Sequence, residues 1–243
     1  MTITIAYLYY NLLNLYGENG NIKMIKKILE KQGINVMVKF LDVTDELEFN
    51  KYDLVYMGSG NYENQELIIK HLSKYKKDIK KCLDNKKFFI ITGNTLDIFG
   101  SHIIFPNKKI KALNIFDYYV KFEDINFADR ALFKSKLIDE EIIGYQKQNS
   151  LMFNNNYSLF DVIEGIGENI KSNKEGVHYK NFYGTYLNGP FLIRNPFFTI
   201  FILKKLILNK DQKFSFKNFD LTFEKEAYYN YLHYNYGIIK ANN

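Results

Sequence analysis

The stretch FYGTYLNGPFLIRNP, residues 182–196, reads as a strand that stops at Gly189-Pro190 and restarts as a helix, with one polar side chain, Asn188, at its tip. An asparagine there either hydrogen-bonds its own backbone in a turn or belongs to a site, and the turn is the ordinary outcome. Three further stretches set polar groups at the ends of apolar runs: the loop carrying Glu18, the turn Gly58-Ser59-Gly60-Asn61, and the turn Thr92-Gly93-Asn94-Thr95. Their residue types limit the chemistry. The hydroxyls of Thr92 and Thr95 need a strong base to ionise, and the sequence shows none beside them. The single thiol, Cys82, falls in a helical pattern beside Ile79 and Leu83, as a half-buried packing cysteine does. Neither a CxxC pair nor a His-rich spacing suits a metal.

The elements that must position these groups follow from periodicity. ITIAYLY (3–9), INVMVKFL (34–41), YDLVYMG (52–58) and KKFFIIT (86–92) are apolar almost throughout. Between them, IKMIKKILEKQG (22–33) repeats Ile22, Ile25, Ile28 and Leu29 at helical spacing and closes on Gly33, and NQELIIKHLSKYKKDIKKCLDN (64–85) predicts one long amphipathic helix. Alternating strands and helices of this kind imply a mostly parallel sheet with helices on both faces. Ligands of such sheets sit outside the carboxyl ends of the strands, where the three polar loops fall. Beyond residue 105 the pattern shortens to strand-like segments at 115–123, 141–146 and 177–187, followed by helices at 195–208 and 221–236. No linker-like stretch interrupts the chain, so residues 1–243 are expected to form a single domain.

Composition excludes some functions. The formal charge of +6 comes from lysines scattered singly and in pairs, such as those at 26, 76, 80, 86, 108 and 204, without an Arg-rich stripe, so no nucleic-acid partner is expected. The longest apolar run, 196–203, is too short to insert into a membrane, and the N-terminus lacks a basic leader. One cysteine rules out an internal disulfide framework. A soluble, cytoplasmic protein is expected.

The segments YYNLLNLYGENGN, YMGSGNYENQ, IITGNTLDIFG, GIGENIKSNKEG and NFYGTYLNGPFLIRNP occur in that order. Together, over about residues 5–208, they resemble class I glutamine amidotransferases of the cobyric acid synthase type, most nearly the GatD-type subunits of lipid II isoglutaminyl synthase. The resemblance implies a flavodoxin-like sheet, a cysteine on a sharp turn after a strand, a histidine on a later loop to activate it, and backbone N–H groups that hold the oxyanion. The family's GTYLHGP matches 184–190 without a gap and puts the base at Asn188. Its GICGGYQLLG puts the nucleophile at Gly93, counting back from Gly100, or at Thr92, counting from the preceding Ile. Neither is a cysteine, and an amide takes no proton from a thiol near neutral pH. A third departure is GYQKQNS (144–150), where the family resembles GFENHGG.

What remains of the family's site, by the same resemblance, is Glu18 as a vestigial acid that oriented the histidine, Gly58, Ser59 and Gly60 near the oxyanion position, and Arg130 for the glutamine carboxylate. Glu18 also has a plain explanation as the cap of a helix beginning near Asn21, and the glycines as requirements of a tight turn. The other histidines offer no substitute base. The segment from His178 to Asn188, taken as extended, spans on the order of 30 Å; His71 and His233 lie on helices; His102 stands near the site's edge. Cys82 precedes a strand that puts it at the opposite edge of the sheet from the turn at 92–95. The resemblance thus implies a glutamine amidotransferase-fold pseudoenzyme, without cofactor of its own, paired with a MurT-like Mur ligase that carries the ATP and Mg and amidates the D-glutamate of the lipid II stem peptide. Two alternatives stand beside it: a small-ligand binding module with no ligase partner, and an active amidotransferase with an unrecognised nucleophile.

Overall fold

The computed structural model describes residues 1–239. The first half winds β1 (Thr2–Leu8), α1 (Asn19–Lys31), β2 (Asn35–Leu41), β3 (Leu54–Met57), α2 (Gln65–Leu72), α3 (Lys76–Asp84) and β4 (Phe88–Thr92). β1 pairs in parallel with β2 and β3, and β3 with β4. Because these strands are covered on both faces, they are apolar throughout, and their alternation sorts side chains between two cores. Ile5, Tyr7, Leu54, Tyr56 and Ile90 pack beneath α1. Ala6, Leu8, Val55, Met57, Phe89 and Ile91 face Ile68, Leu72, Ile79 and Leu83 of α2 and α3.

The helix predicted over 64–85 is two helices, broken by a 3-10 turn at Ser73–Tyr75. Tyr75 explains the break: its ring packs on Phe49 and His71 and its hydroxyl accepts from the Leu47 amide, contacts that a continuous helix would turn away. Tertiary packing here overrides a favourable local pattern.

The second half contributes β5 (His102–Ile104), β6 (Lys109–Lys111), the long strands β7 (Tyr119–Ser135) and β8 (Ile142–Phe153), then β9 (Phe160–Glu164), β10 (Lys174–Glu175), β11 (Val177–Tyr179) and β12 (Phe182–Thr185). β5 to β10 build a second sheet in which β7 pairs antiparallel with both β8 and β9. The predicted strand 177–187 is instead a hairpin. It reverses at Lys180, whose φ of 55° lies in the left-handed region, and β12 returns to pair in parallel with β4. The first sheet therefore reads β11-β12-β4-β3-β1-β2. A short α4 (Phe191–Arg194), α5 (Pro196–Lys210) and α6 (Thr222–Tyr236) complete the chain, with α5 packing into the α1 core and α6 closed by Gly237 at φ 65°. The fold is α/β, a mostly parallel sheet with helices on both faces and an added β-layer. Among the described residues, no helix is long and apolar enough to cross a membrane.

Candidate functional site

The pairing of β12 with β4 brings together strand ends that are far apart in sequence. Thr185 lies opposite Thr92, so the segment leaving β12 carries Asn188 alongside the turn that follows β4. That turn begins at Gly93 with φ of +66°, a left-handed conformation that glycine adopts without strain, and continues as a 3-10 helix over Gly93–Phe99. A sharp strand-to-helix turn of this form is how α/β enzymes expose a nucleophile at a sheet's edge.

Glu18 is the hub of the site. Glu18 stands at the N-cap position of α1, which starts at Asn19 and not near Asn21, but its side chain makes no capping bond. Fully buried, it accepts from Ser59 N (3.2 Å) and Gly189 N (3.1 Å) on Oε1, and from Thr92 Oγ1 (2.9 Å), Asn21 Nδ2 (3.2 Å) and the Tyr56 hydroxyl on Oε2. One carboxylate thus joins the ends of β1, β3, β4 and β12. Close approach explains the glycines around it: a Cβ at Gly58 would lie 2.4 Å from Glu18 Cγ, and one at Gly189 2.6 Å from its carboxyl carbon.

Asn188 is buried, and its side chain is not a turn bond to its own backbone. Its Oδ1 accepts from Ser59 Oγ at 3.0 Å, and its Nδ2 has no partner. The Thr92 hydroxyl is spent on Glu18, and that of Thr95 on the Gly58 carbonyl at 2.5 Å. Asn94 covers the Gly60 peptide from both sides, its Oδ1 accepting from Gly60 N (3.1 Å) and its Nδ2 donating to Gly60 O (2.6 Å). Beside these groups opens a cavity of about 250 Å³ lined by Tyr16, Gly60, Asn94, Lys147, Gln148 and Asn188, among others. Gln148 Nε2 donates to Ser150 O, which leaves its buried Oε1 without a partner.

The structure therefore unites Glu18, Gly58, Ser59, Gly60, Thr92, Gly93 and Asn188. It does not bring Arg130 to them. Arg130 lies on β7 opposite Tyr145, is exposed, donates to Asn235 of α6, and is not among the residues lining the cavity. His178 is closer along the chain's path than extension implied, because the hairpin sets it across from Tyr183, on which it stacks. It too stays out of the cavity, as do His102, stacked on Tyr119, and His71, bonded to the Tyr9 hydroxyl. Cys82 is buried on α3 at the start of β4, its Sγ against Phe49 O, and burial pushes its thiol up.

Two positions escaped sequence reasoning. Tyr56 lies in an apolar strand and reads as core, yet its hydroxyl meets Glu18, Asn21 and Thr92. Asp97, buried behind the turn, accepts from Tyr186 (2.7 Å) and Ser150 (3.1 Å), and burial pushes its carboxyl up to about 7 against the lowering effect of those bonds. A lone Asp inside the apolar run LDIF was the available signal.

Comparison with known proteins gives the chain a family. Residues 4–196 match the model of the CobB/CobQ-like glutamine amidotransferase domain. The chain belongs to that family. It is 32% identical over 197 residues, 79% of this chain and 76% of the relative, to the GatD subunit of lipid II isoglutaminyl synthase (glutamine-hydrolyzing) from Streptococcus pneumoniae (strain ATCC BAA-255 / R6). To the GatD subunit from Staphylococcus aureus (strain N315) it is 29% identical over 226 residues, 93% of each chain. A solved structure, PurLQS from Thermotoga maritima, gives a looser likeness at 13% identity and a TM-score of 0.48, covering 86% of this chain and 99% of that one. For this amidotransferase-family chain the chemical question is what Gly93, Asn188 and their neighbours can still do. Gly93 carries no side chain, Asn188 carries a carboxamide, and the hydroxyls of Ser59, Thr92 and Thr95 are buried and hydrogen-bonded to Asn188, Glu18 and the Gly58 carbonyl respectively.

Proposed function

We propose that this chain is a GatD-like subunit that has lost glutaminase chemistry and serves in the amidation of the lipid II stem-peptide D-glutamate as the partner of a MurT-like Mur ligase. The kinship to two GatD subunits supports the pathway. The observation that carries the loss of chemistry is the facing of Gly93 and Asn188: a Cβ built on Gly93 comes within 2.8 Å of Asn188 Oδ1, the relation a nucleophile and its base would have. The same geometry favours Gly93 over Thr92 as the nucleophile's position, since the Thr92 hydroxyl turns to Glu18. The ligase supplies ATP and Mg, free ammonia is its nitrogen source, and this subunit braces or regulates it. Incubation of the purified chain with glutamine, alone and with the ligase encoded in the same genome, is expected to release glutamate no faster than buffer over hours. Turnover that disappears in Thr92→Val or Thr95→Val would instead establish an unrecognised nucleophile.

A second reading, a small-ligand binding module without a ligase, draws support from the unpartnered Asn188 Nδ2 and Gln148 Oε1 in one cavity, a donor and an acceptor that a bound molecule could satisfy. Affinity purification from the native host separates the two. Recovery with a Mur-type ligase favours the first, and recovery as a free chain favours the second.

A further inference from the structure

Gly93 is not simply a position that lost its side chain. The space a side chain would enter there is already filled. An ideal Cβ on Gly93 would lie 1.7 Å from Ser59 Oγ and 2.8 Å from Ser59 Cβ, both closer than non-bonded atoms approach. Rotating the Ser59 hydroxyl removes the first collision and leaves the second. Moving the Ser59 backbone is opposed from several sides. Its amide donates to Glu18 Oε1 (3.2 Å) and its carbonyl accepts from Leu15 N (3.1 Å). The flanking glycines have no slack either, for a Cβ at Gly58 would meet Leu13 O at 2.5 Å and one at Gly60 would meet Leu12 O at 2.4 Å. The fit of Ser59 is polar as well as steric, since its Oγ donates to Asn188 Oδ1 (3.0 Å) and faces Thr92 O (3.4 Å).

We infer that Ser59 occupies the seat of a side chain at residue 93 and bridges it to Asn188, so that Ser59, Gly93 and Asn188 form one interlocked unit in which no nucleophile can be restored at 93 while Ser59 remains. This rests on the reading of Gly93 as the nucleophile's position, and it extends that reading from two residues to three. Ser59 acts here as a positioning residue: it holds Asn188 and excludes a neighbour.

A thermodynamic double-mutant cycle tests the interlock in the intact chain. Urea midpoints are measured for wild type, Gly93→Ala, Ser59→Gly and the pair Ser59→Gly/Gly93→Ala. The strain of a non-glycine residue at φ +66° is common to Gly93→Ala and to the pair, so it cancels in the coupling term. Expected is a coupling of at least tenfold in the unfolding equilibrium constant, with the pair more stable than the sum of its single changes predicts. Gly93→Cys and Ser59→Gly/Gly93→Cys should repeat the pattern with the larger side chain. If Gly93→Ala does not fold, the inference requires that the pair does. Additive midpoints, or a pair that fails wherever the single change fails, would overturn it. Glutamine turnover by the wild-type chain would sink the proposed loss of chemistry and leave this steric coupling standing, so the two are judged separately.

Discussion

Glu18 is the side chain on which the most depends. It collects hydrogen bonds from Ser59, Gly189, Thr92, Asn21 and Tyr56, all in the interior. A buried donor left unpaired costs about 1–3 kcal/mol, so Glu18→Ala, which orphans several at once, is expected to destabilise the chain by at least about 3 kcal/mol in urea denaturation. Glu18→Gln should rescue little, because its Nε2 would set a donor against donors. A loss under about 1 kcal/mol in both variants would mean that the hub is dispensable. The thiols form a second case. Cys82 is buried with its thiol pushed up, so iodoacetamide should leave the native chain unlabelled, giving a silent background for engineered thiols. Against it, the triple change Ser59→Gly/Gly93→Cys/Asn188→His should alkylate faster near pH 7 than Gly93→Cys/Asn188→His, because only there is the seat beside the imidazole free. Equal rates would place the histidine's influence elsewhere.

At the scale of elements, the 3-10 turn after β4 is held by what lies behind it. Asp97 ties this turn to Tyr186, which follows β12, and to Ser150 on β8. Its carboxyl rises from an ordinary 3.8 to about 7 through burial, so the folded chain holds that proton more tightly than the unfolded chain does. The stabilising contribution is therefore complete below about pH 4, declines as the pH rises, and is gone above about 7. The shift corresponds to roughly 4 kcal/mol over that window. Glu175 on β10, pushed up to about 8 by burial, adds a loss of the same sign that extends to higher pH. Asp97→Asn is expected to fall less steeply in urea midpoint between pH 5 and 7 than the wild type. A slope identical to that of the wild type would show that Asp97 is ionised throughout.

For the whole molecule, the two sheets have different parts. The parallel sheet carries the turns at 58–61 and 92–95, and the added layer supplies β8, whose Lys147 and Gln148 wall the cavity and whose Tyr145 carbonyl accepts from Asn188 N (2.9 Å). A GatD-like subunit kept for a partner would retain its docking surface whatever happens in the cavity. Asn188→Ala is thus expected to leave co-purification with the ligase unchanged in a pull-down from the native host. Loss of the ligase in that variant would make the site itself part of the interface.

What the sequence determined by itself is what is encoded locally or as an ordered string. The apolar runs of β1, β3 and β4 and the spacing of Ile22, Ile25, Ile28 and Leu29 follow from burial on two faces or on one. The uninterrupted GTYLNGP and the turn at Thr92-Gly93 pointed to two strand ends that the fold sets side by side, with Asn188 facing Gly93. Tertiary structure decided everything that depends on distance between segments. The sequence offers Glu18 both as a vestigial acid and as a helix cap, and only the packed chain shows four strand ends converging on it. His178 reads as remote until β11 folds back on β12. The resemblance sets Ser59 with Gly58 and Gly60 near the oxyanion position, and only the approach of β3's end to β4's end shows that its hydroxyl stands where a side chain at 93 would go. Arg130, matched through the segment that departs most from the family, lies on β7 against α6. Periodicity reports which face of an element is buried, whereas a site is a set of side chains from several elements, and only the packed chain fixes their separations.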